Sequence, residues 1–313
     1  MGTNIPPKVS VVMSVFNGEK YLREAMDSIL TQTFTDFEFI IINDGSTDRT
    51  REILESYVDP RIRLYHQQNM GLTKSLNKGL SFAKGDYLAR QDGDDISYPE
   101  RLSYQVNFLD SNKNIGLIGT FASFINSKGE EFNIWKPPWE HEGIKKHLMI
   151  TNCFCHGSVM FRKDCLDTVG YYREKFKYSQ DYDLWIRISE QYRVANINEI
   201  LYKNRRSSST ITRKRLPLQL NFHLLAIELA KERMGKGTDS LHEINDNIEM
   251  CLKKKFRLNK SEINKFKSCI YMQQFVESFK TKNYYSGIIF WVKAFIFEAR
   301  KYKIELLLRK IID

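Results

Sequence analysis

An α/β fold, with a mostly parallel sheet and helices on both of its faces, is what this 313-residue sequence predicts. Three observations predict it. Short, β-branched apolar runs recur at Val9–Val15, Phe37–Asn43 and Ile62–His66, the pattern of strands buried on both faces. Amphipathic stretches separate them at the spacing of strand–helix–strand units. Each run ends in a polar or acidic turn, and in such sheets ligands bind beyond the carboxyl ends of the strands.

Val9-Ser10-Val11-Val12-Met13-Ser14-Val15 reads as the first strand, closed by Asn17-Gly18. Asn17 is placed to cap a helix over roughly Glu19–Thr31, with Leu22, Met26, Ile29 and Leu30 on one face. Phe37–Asn43 is the second strand, and Asp44-Gly45-Ser46-Thr47-Asp48 turns into a helix through Tyr57. Ile62–His66 is the third strand, Leu72–Ala83 a helix and Asp86–Arg90 the fourth strand. That strand runs into Gln91-Asp92-Gly93-Asp94-Asp95, three carboxylates within four residues. They repel one another, and a hard cation such as Mg²⁺ or Mn²⁺ bridging them to a phosphate removes that cost. An isolated D-x-D is commonly a solvated acidic turn. Here it meets the turns after Val15 and Ile42 at one cleft.

Further on, Tyr98–Asn112 reads as a helix, Ile115–Phe124 as a strand and Ser127-Lys128-Gly129 as a hairpin turn. Trp135–Trp139 is a loop, Ser158–Arg162 a strand, and Tyr182–Gln191 a helix opened by Asp181. From about Leu216 the pattern is helical and lysine-rich, and there is no internal repeat.

With 42% hydrophobic and 13% aromatic residues the chain holds a sizeable core and one or two domains. No apolar run is long enough to span a bilayer, and the first residues lack the apolar centre of a signal peptide. The five cysteines show no disulfide or zinc spacing; Cys153-Phe154-Cys155-His156 lacks a fourth ligand. A reducing, cytoplasmic setting fits. The net charge of +10 is unevenly spread: residues 1–200 carry −3 and residues 201–313 carry +13. A basic excess confined to an appendage suggests a docking surface and argues against a nucleic-acid partner.

Four motifs in order, Val9–Asn17, Asn43–Asp48, Gln91–Asp95 and Gln180-Asp181-Tyr182-Asp183-Leu184-Trp185, resemble glycosyltransferase family 2 over roughly residues 8–210. The resemblance implies an inverting enzyme of the GT-A fold, with a catalytic domain over 1–215 and a basic helical region over 216–313. The nucleotide-sugar half spans about 1–97 and the acceptor half about 98–215.

The resemblance also implies roles. Ser14, Phe16, Asn17 and Glu19 line the nucleoside end of the donor, with Phe16 either stacking on the base or packing in the core. Asp44 recognises uracil, or alternatively caps the next helix. Asp92 and Asp94 hold the Mn²⁺ or Mg²⁺ that bridges the diphosphate. Asp181 is the general base, drawing on the helix dipole for its ionised form, or a helix cap without chemistry. The family's Glu-Asp pair is here Gln180-Asp181, so the base keeps no acidic neighbour on that side.

Trp185 floors the acceptor sugar or fills core. His156 precedes Gly157, where the family pattern has proline, and either faces the acceptor or is structural. Arg205 stands where relatives place a histidine, and its fork suits phosphate. Lys74 reaches phosphate or sugar, or is solvated. The Ser/Thr-rich run Arg205–Arg215 is a candidate to fold over the donor.

The expected donor is a UDP-sugar, and the expected acceptor a saccharide or lipid-linked saccharide of the cell envelope. The processive motif Gln-x-x-Arg-Trp is absent after the base, so one sugar moves per encounter. Ile288–Phe297, interrupted by Lys293 and followed by Arg300–Lys303, suits a bilayer interface or a helical bundle. Location is then cytoplasmic, with peripheral attachment to the membrane. The competing class is a non-catalytic nucleotide-sugar-binding or scaffolding subunit, which predicts lost carboxylates. A nucleotidyltransferase requires a glycine-rich, lysine-bearing loop after the first strand, which Ser14–Gly18 does not supply.

Overall fold

The computed structural model describes residues 6–206, 216–244 and 247–256. The chain runs β1 (Val9–Val15), α1 (Leu22–Leu30), β2 (Phe37–Asp44), α2 (Thr50–Glu55), β3 (Ile62–Gln67), α3 (Leu72–Ser81) and β4 (Tyr87–Arg90). It continues through β5 (Ile96–Ser97), α4 (Arg101–Ser111), β6 (Ile115–Ile125), β7 (Glu131–Trp135), α5 (His141–Leu148), β8 (Met160–Arg162) and α6 (Asp164–Val169). Then come α7 (Gln180–Gln191), β9 (Arg193–Arg205), α8 (Leu216–Lys236) and α9 (Ile248–Phe256).

The described strands form one sheet in the order β3-β2-β1-β4-β8-β6-β9-β5, with β7 paired to β6. Alternation along β1 divides the core. Val9, Val11, Met13 and Val15 join Phe37, Phe39 and Ile41 in the cluster with Leu22, Ala25, Met26 and Ile29 of α1. Val12, Ile40 and Ile42 meet α3, where a β-carbon on Gly79 would stand 2.6 Å from Val12 Cγ1. Each such buried side chain contributes about 1.5–3 kcal/mol.

The chain steps outward from β1 to β2 to β3, then returns to the other side of β1 as β4. That reversal opens a crevice at the carboxyl ends of β1 and β4.

The parallel expectation holds for β1–β4, but the second half is mixed. β8 is antiparallel to both β4 and β6, and β5 to β9. Antiparallel neighbours need no crossover helix, so no strand–helix rhythm announces them. The thirteen-residue β9 is absent from the predicted elements because its Arg, Asn, Glu and Lys residues break any apolar run. Trp135 ends a strand and is not in a loop.

The chain separates into two compact units, one of residues 1–214 with 222–246, the other of 215–221 with 247–313. The first continues past the expected boundary at 215/216, and Phe222, Leu225, Ala226, Leu229 and Ala230 of α8 are buried. In the second, α9 carries Lys253, Lys254 and Lys255 in its last turn. Among the described residues no helix is long and apolar enough to cross a membrane. The proposed closing segment beyond Arg206 and the amphipathic stretch 288–303 lie outside the described residues.

Candidate active site

The turns after β1 and β2 are laced together at the crevice. Asn17 takes a left-handed backbone, φ 51°. Its amide donates to Ser46 Oγ at 3.0 Å, and its Oδ1 accepts from the Thr47 amide at 2.8 Å. Gly18 N donates to Thr50 Oγ1 at 2.8 Å, and the Glu19 carboxylate accepts from the Arg49 amide at 3.0 Å and Arg49 Nε at 3.3 Å. Asn17 is therefore not a helix cap: α1 starts at Leu22, with Tyr21 at the cap position and no side-chain cap bond. The carboxamide ties the turn after β1 to the turn after β2 instead. Glu19 is likewise a strut between turns.

Phe16 stands 51% exposed, which leaves the core reading without support. Ser14 is buried. Asp44 is buried too. Its Oδ1 accepts from Gln67 Nε2 and the Met70 amide, both at 2.8 Å, and its Oδ2 from the Gly71 amide at 2.9 Å. It holds the entry to α3, and does not cap the helix after β2. Lys74 is exposed, 4.0 Å from Glu174.

The acidic loop leaves β4 along β1. The Gln91 amide donates to Val12 O at 3.1 Å, and Gly93 lies against Val15. Arg90 donates to Asp92 Oδ1 at 2.7 Å, and the Asp92 amide to Tyr202 Oη at 3.3 Å. Gln91 Nε2 donates to the carbonyls of Asp92 and Asp95, both at 3.0 Å. Behind it lies Arg101, fully buried. Arg101 donates to Arg90 O at 2.7 Å, Gln91 Oε1 at 3.1 Å and Ser97 Oγ at 2.8 Å. Burial lowers its pKa to about 10.

Partial enclosure by the surrounding protein, and then the charge of Asp92, push Asp94 up to about 6, although the residue still meets solvent. Burial pushes Asp95 well above the usual carboxylate range, and Asp94 and Asp92 add to that. Asp95 accepts from the Arg205 amide at 2.7 Å and from Asn204 Nδ2 at 2.8 Å.

Arg205 does not present its fork to a phosphate. Its Nε donates to Asp94 O at 2.8 Å, and its terminal nitrogens to Asn126 O at 3.2 Å and Glu24 at 2.8 Å. The side chain is buried with every nitrogen committed, and its work is to hold the loop.

Opposite stands α7. Asp181 lies in its first turn and is not the cap; the cap position is Ser179, left-handed at φ 55°. A non-glycine residue there is strained and persists where its surroundings over-determine it. Asp181 Oδ2 accepts from Asn152 Nδ2 at 2.9 Å. His156 Nε2 and the Tyr172 hydroxyl are 3.0 Å apart. Burial lowers the His156 pKa and raises that of Tyr172, and the charges of both Asp181 and Asp92 act on the two rings.

Trp185 is core: it is fully buried, with the edges of Phe154, His156, Phe161 and Tyr172 around it, so it offers no face to an acceptor sugar. Tyr202, Asn152, Tyr172 and Arg101 went unread in the sequence. Only Arg101 left a signal: with Gln105 it puts polar groups at i and i+4 on the face of Leu102, Val106 and Leu109.

A mixed sheet with its crevice between β1 and β4, an acidic loop on one wall and a helix-borne carboxylate on the other defines a GT-A glycosyltransferase. Residues 10–170 match the model of "Glycosyl transferase family 2", and the chain belongs to that family. It is 36% identical over 235 residues to "Putative glycosyltransferase EpsE" of Bacillus subtilis (strain 168), covering 73% of this chain and 84% of that one. It is 36% identical over 211 residues to "O-antigen biosynthesis glycosyltransferase WbnJ" of Escherichia coli, covering 66% and 82%. Two solved structures share the fold. S. aureus TarS 1-349 in complex with UDP-GlcNAc has TM-score 0.59 at 18% identity, covering 91% of this chain and 89% of that one. The mannosyltransferase PcManGT of Pyrobaculum calidifontis, in complex with GDP-Man and Mn²⁺, has TM-score 0.55 at 15% identity, covering 94% and 87%.

Proposed function

We propose that this glycosyltransferase moves one sugar from a UDP-sugar, with inversion at the anomeric carbon, to a saccharide or lipid-linked saccharide in cell-envelope polysaccharide synthesis. One observation carries the reading. Asp92 of the acidic loop and a separately held carboxylate, Asp181, both act on the same two rings, His156 and Tyr172. UDP-GlcNAc in the TarS complex and the O-antigen role in the name of WbnJ support donor and pathway class. The basic excess of residues 201–313 supports a peripheral site on the cytoplasmic face of the membrane.

The donor set fits a hard divalent cation. Two carboxylates crowd each other, and among the described residues no three His, Cys, Asp or Glu form a complete cage. Mg²⁺ and Mn²⁺ commonly take one or two carboxylates and complete their shell with substrate phosphates. Asp94 and Asp92 would hold the ion, which when bound offsets negative charge on the departing diphosphate.

The remaining work falls to the chain. Phe16 offers a ring to the base, and Asp44 braces the nucleoside wall. Asp181 accepts the proton of the acceptor hydroxyl as its oxygen bonds to the anomeric carbon and the bond to the diphosphate breaks. Asn152 keeps one carboxylate oxygen engaged, which directs the other at the acceptor.

The test is a panel of UDP-, GDP- and dTDP-sugars with Mn²⁺, read by calorimetry and nucleotide release. One UDP-sugar binds with metal, and Asp94→Ala abolishes that binding. Asp181→Asn binds the donor normally and loses roughly 10²–10⁴ in turnover. A folded protein that binds no donor would sink the proposal.

A further inference from the structure

We infer that α8 belongs to the catalytic machinery, with His223 as the positioning residue that sets Asp181. The inference rests on Asp181 being the general base. The family match ends at residue 170, before α7 and α8 alike. Yet α8 is supported along α7 from one end to the other. Phe222 is fully buried, its ring 5.7 Å from Phe176 and 5.9 Å from Tyr178, in the segment that leads into Ser179. At the far end Arg233 forks onto Glu190, at 2.7 Å and 2.9 Å. Arg233 and Arg173 both reach Asp239, the latter at 2.7 Å.

Between these anchors, His223 grips both elements that carry the base. Its ring stacks on Tyr182, the residue after Asp181, with centroids 4.1 Å apart and planes 6° from parallel. Its Nε2 lies 3.0 Å from Ile150 O. A ring nitrogen facing a carbonyl must carry the proton, so His223 donates there. Two residues on, Asn152 donates to Asp181. The Tyr182 hydroxyl donates to Leu148 O, closing the loop onto the helix. One side chain thus fixes the turn that presents Asp181 and the loop that orients it. Such double support is what a left-handed Ser179 requires.

The test compares His223→Ala, His223→Phe and His223→Gln with Asp181→Asn. Turnover of the UDP-sugar selected by the panel is read beside calorimetric binding of UDP with Mn²⁺. Phenylalanine keeps the stack and loses the hydrogen bond; glutamine can reach Ile150 O. Loss of His223 lowers kcat by roughly 10- to 100-fold, with the donor KM and UDP binding within about twofold of wild type. Glutamine recovers most of the rate. If His223→Ala does not fold, the phenylalanine and glutamine variants decide. Wild-type turnover in folded His223→Phe, or a parallel loss of UDP binding and turnover, overturns the inference. Asp181→Asn at wild-type rate removes the base reading itself. An inactive Asp181→Asn beside fully active His223 variants removes only the positioning role.

Discussion

Gly157 has no room for a side chain. A β-carbon there would stand 2.6 Å from Tyr202 Cζ and 2.9 Å from Asp92 Oδ2. The Tyr202 phenol fills the space that a β-carbon would need, and its oxygen receives the Asp92 amide. Gly157→Ala therefore costs about 1–3 kcal/mol, read as a lower urea midpoint with an unchanged slope. Arg205 and Glu19 teach the same lesson from the opposite direction. Both are candidate donor contacts by the family resemblance, yet their charges are taken up by the protein itself. A charged residue beside a cleft serves a ligand only with the atoms its neighbours leave over, and pairing is not a property of the residue alone.

The acidic loop and α8 behave as elements. The charge of Asp92 raises the proton affinity of Asp94, and both raise that of Asp95, so a bound cation should stabilise the loop as well as the donor. At about 100 times its dissociation constant, Mn²⁺ with UDP should add roughly 2.7 kcal/mol to unfolding. Differential calorimetry should show that gain in wild type and not in Asp94→Ala.

For α8 the signature is acid sensitivity. Burial lowers His223 to about 4, against the opposing pull of its bond to Ile150 O. The unfolded chain takes up this proton near pH 6.5, and the folded chain only near pH 4. The contribution is intact above pH 6.5 and is lost as pH falls through that window, by at most about 3 kcal/mol. Urea unfolding at pH 7 and at pH 4.5 should show the loss, and His223→Gln should shrink it.

At the scale of the whole molecule, the first unit does not end where the basic tail begins. Phe222, Leu225 and Leu229 are buried in it, each worth about 1.5–3 kcal/mol. Their sum rivals a typical total stability of about 5–15 kcal/mol. A chain ending at residue 214 should therefore fail to fold or unfold at a much lower temperature, measured by thermal circular dichroism. The charge division between residues 1–200 and 201–313 is thus not a structural boundary.

The sequence by itself determined the first half of the fold. Val9–Val15 and Phe37–Asn43 are short continuous apolar runs, the helix between them carries a period of 3.6, and both patterns are local information. It also determined the family and the acidic loop, because Asp92, Gly93 and Asp94 are neighbours in the chain. Only the tertiary structure decided the rest. β8 and β9 enter the sheet through partners far away in sequence, and β9 has no apolar rhythm of its own. Whether Phe16 is free, Trp185 buried, Arg205 consumed or His223 set beside Asp181 depends on contacts between residues tens to more than a hundred positions apart. A linear pattern records which residues are present; burial and hydrogen-bond satisfaction exist only once distant segments have closed around them.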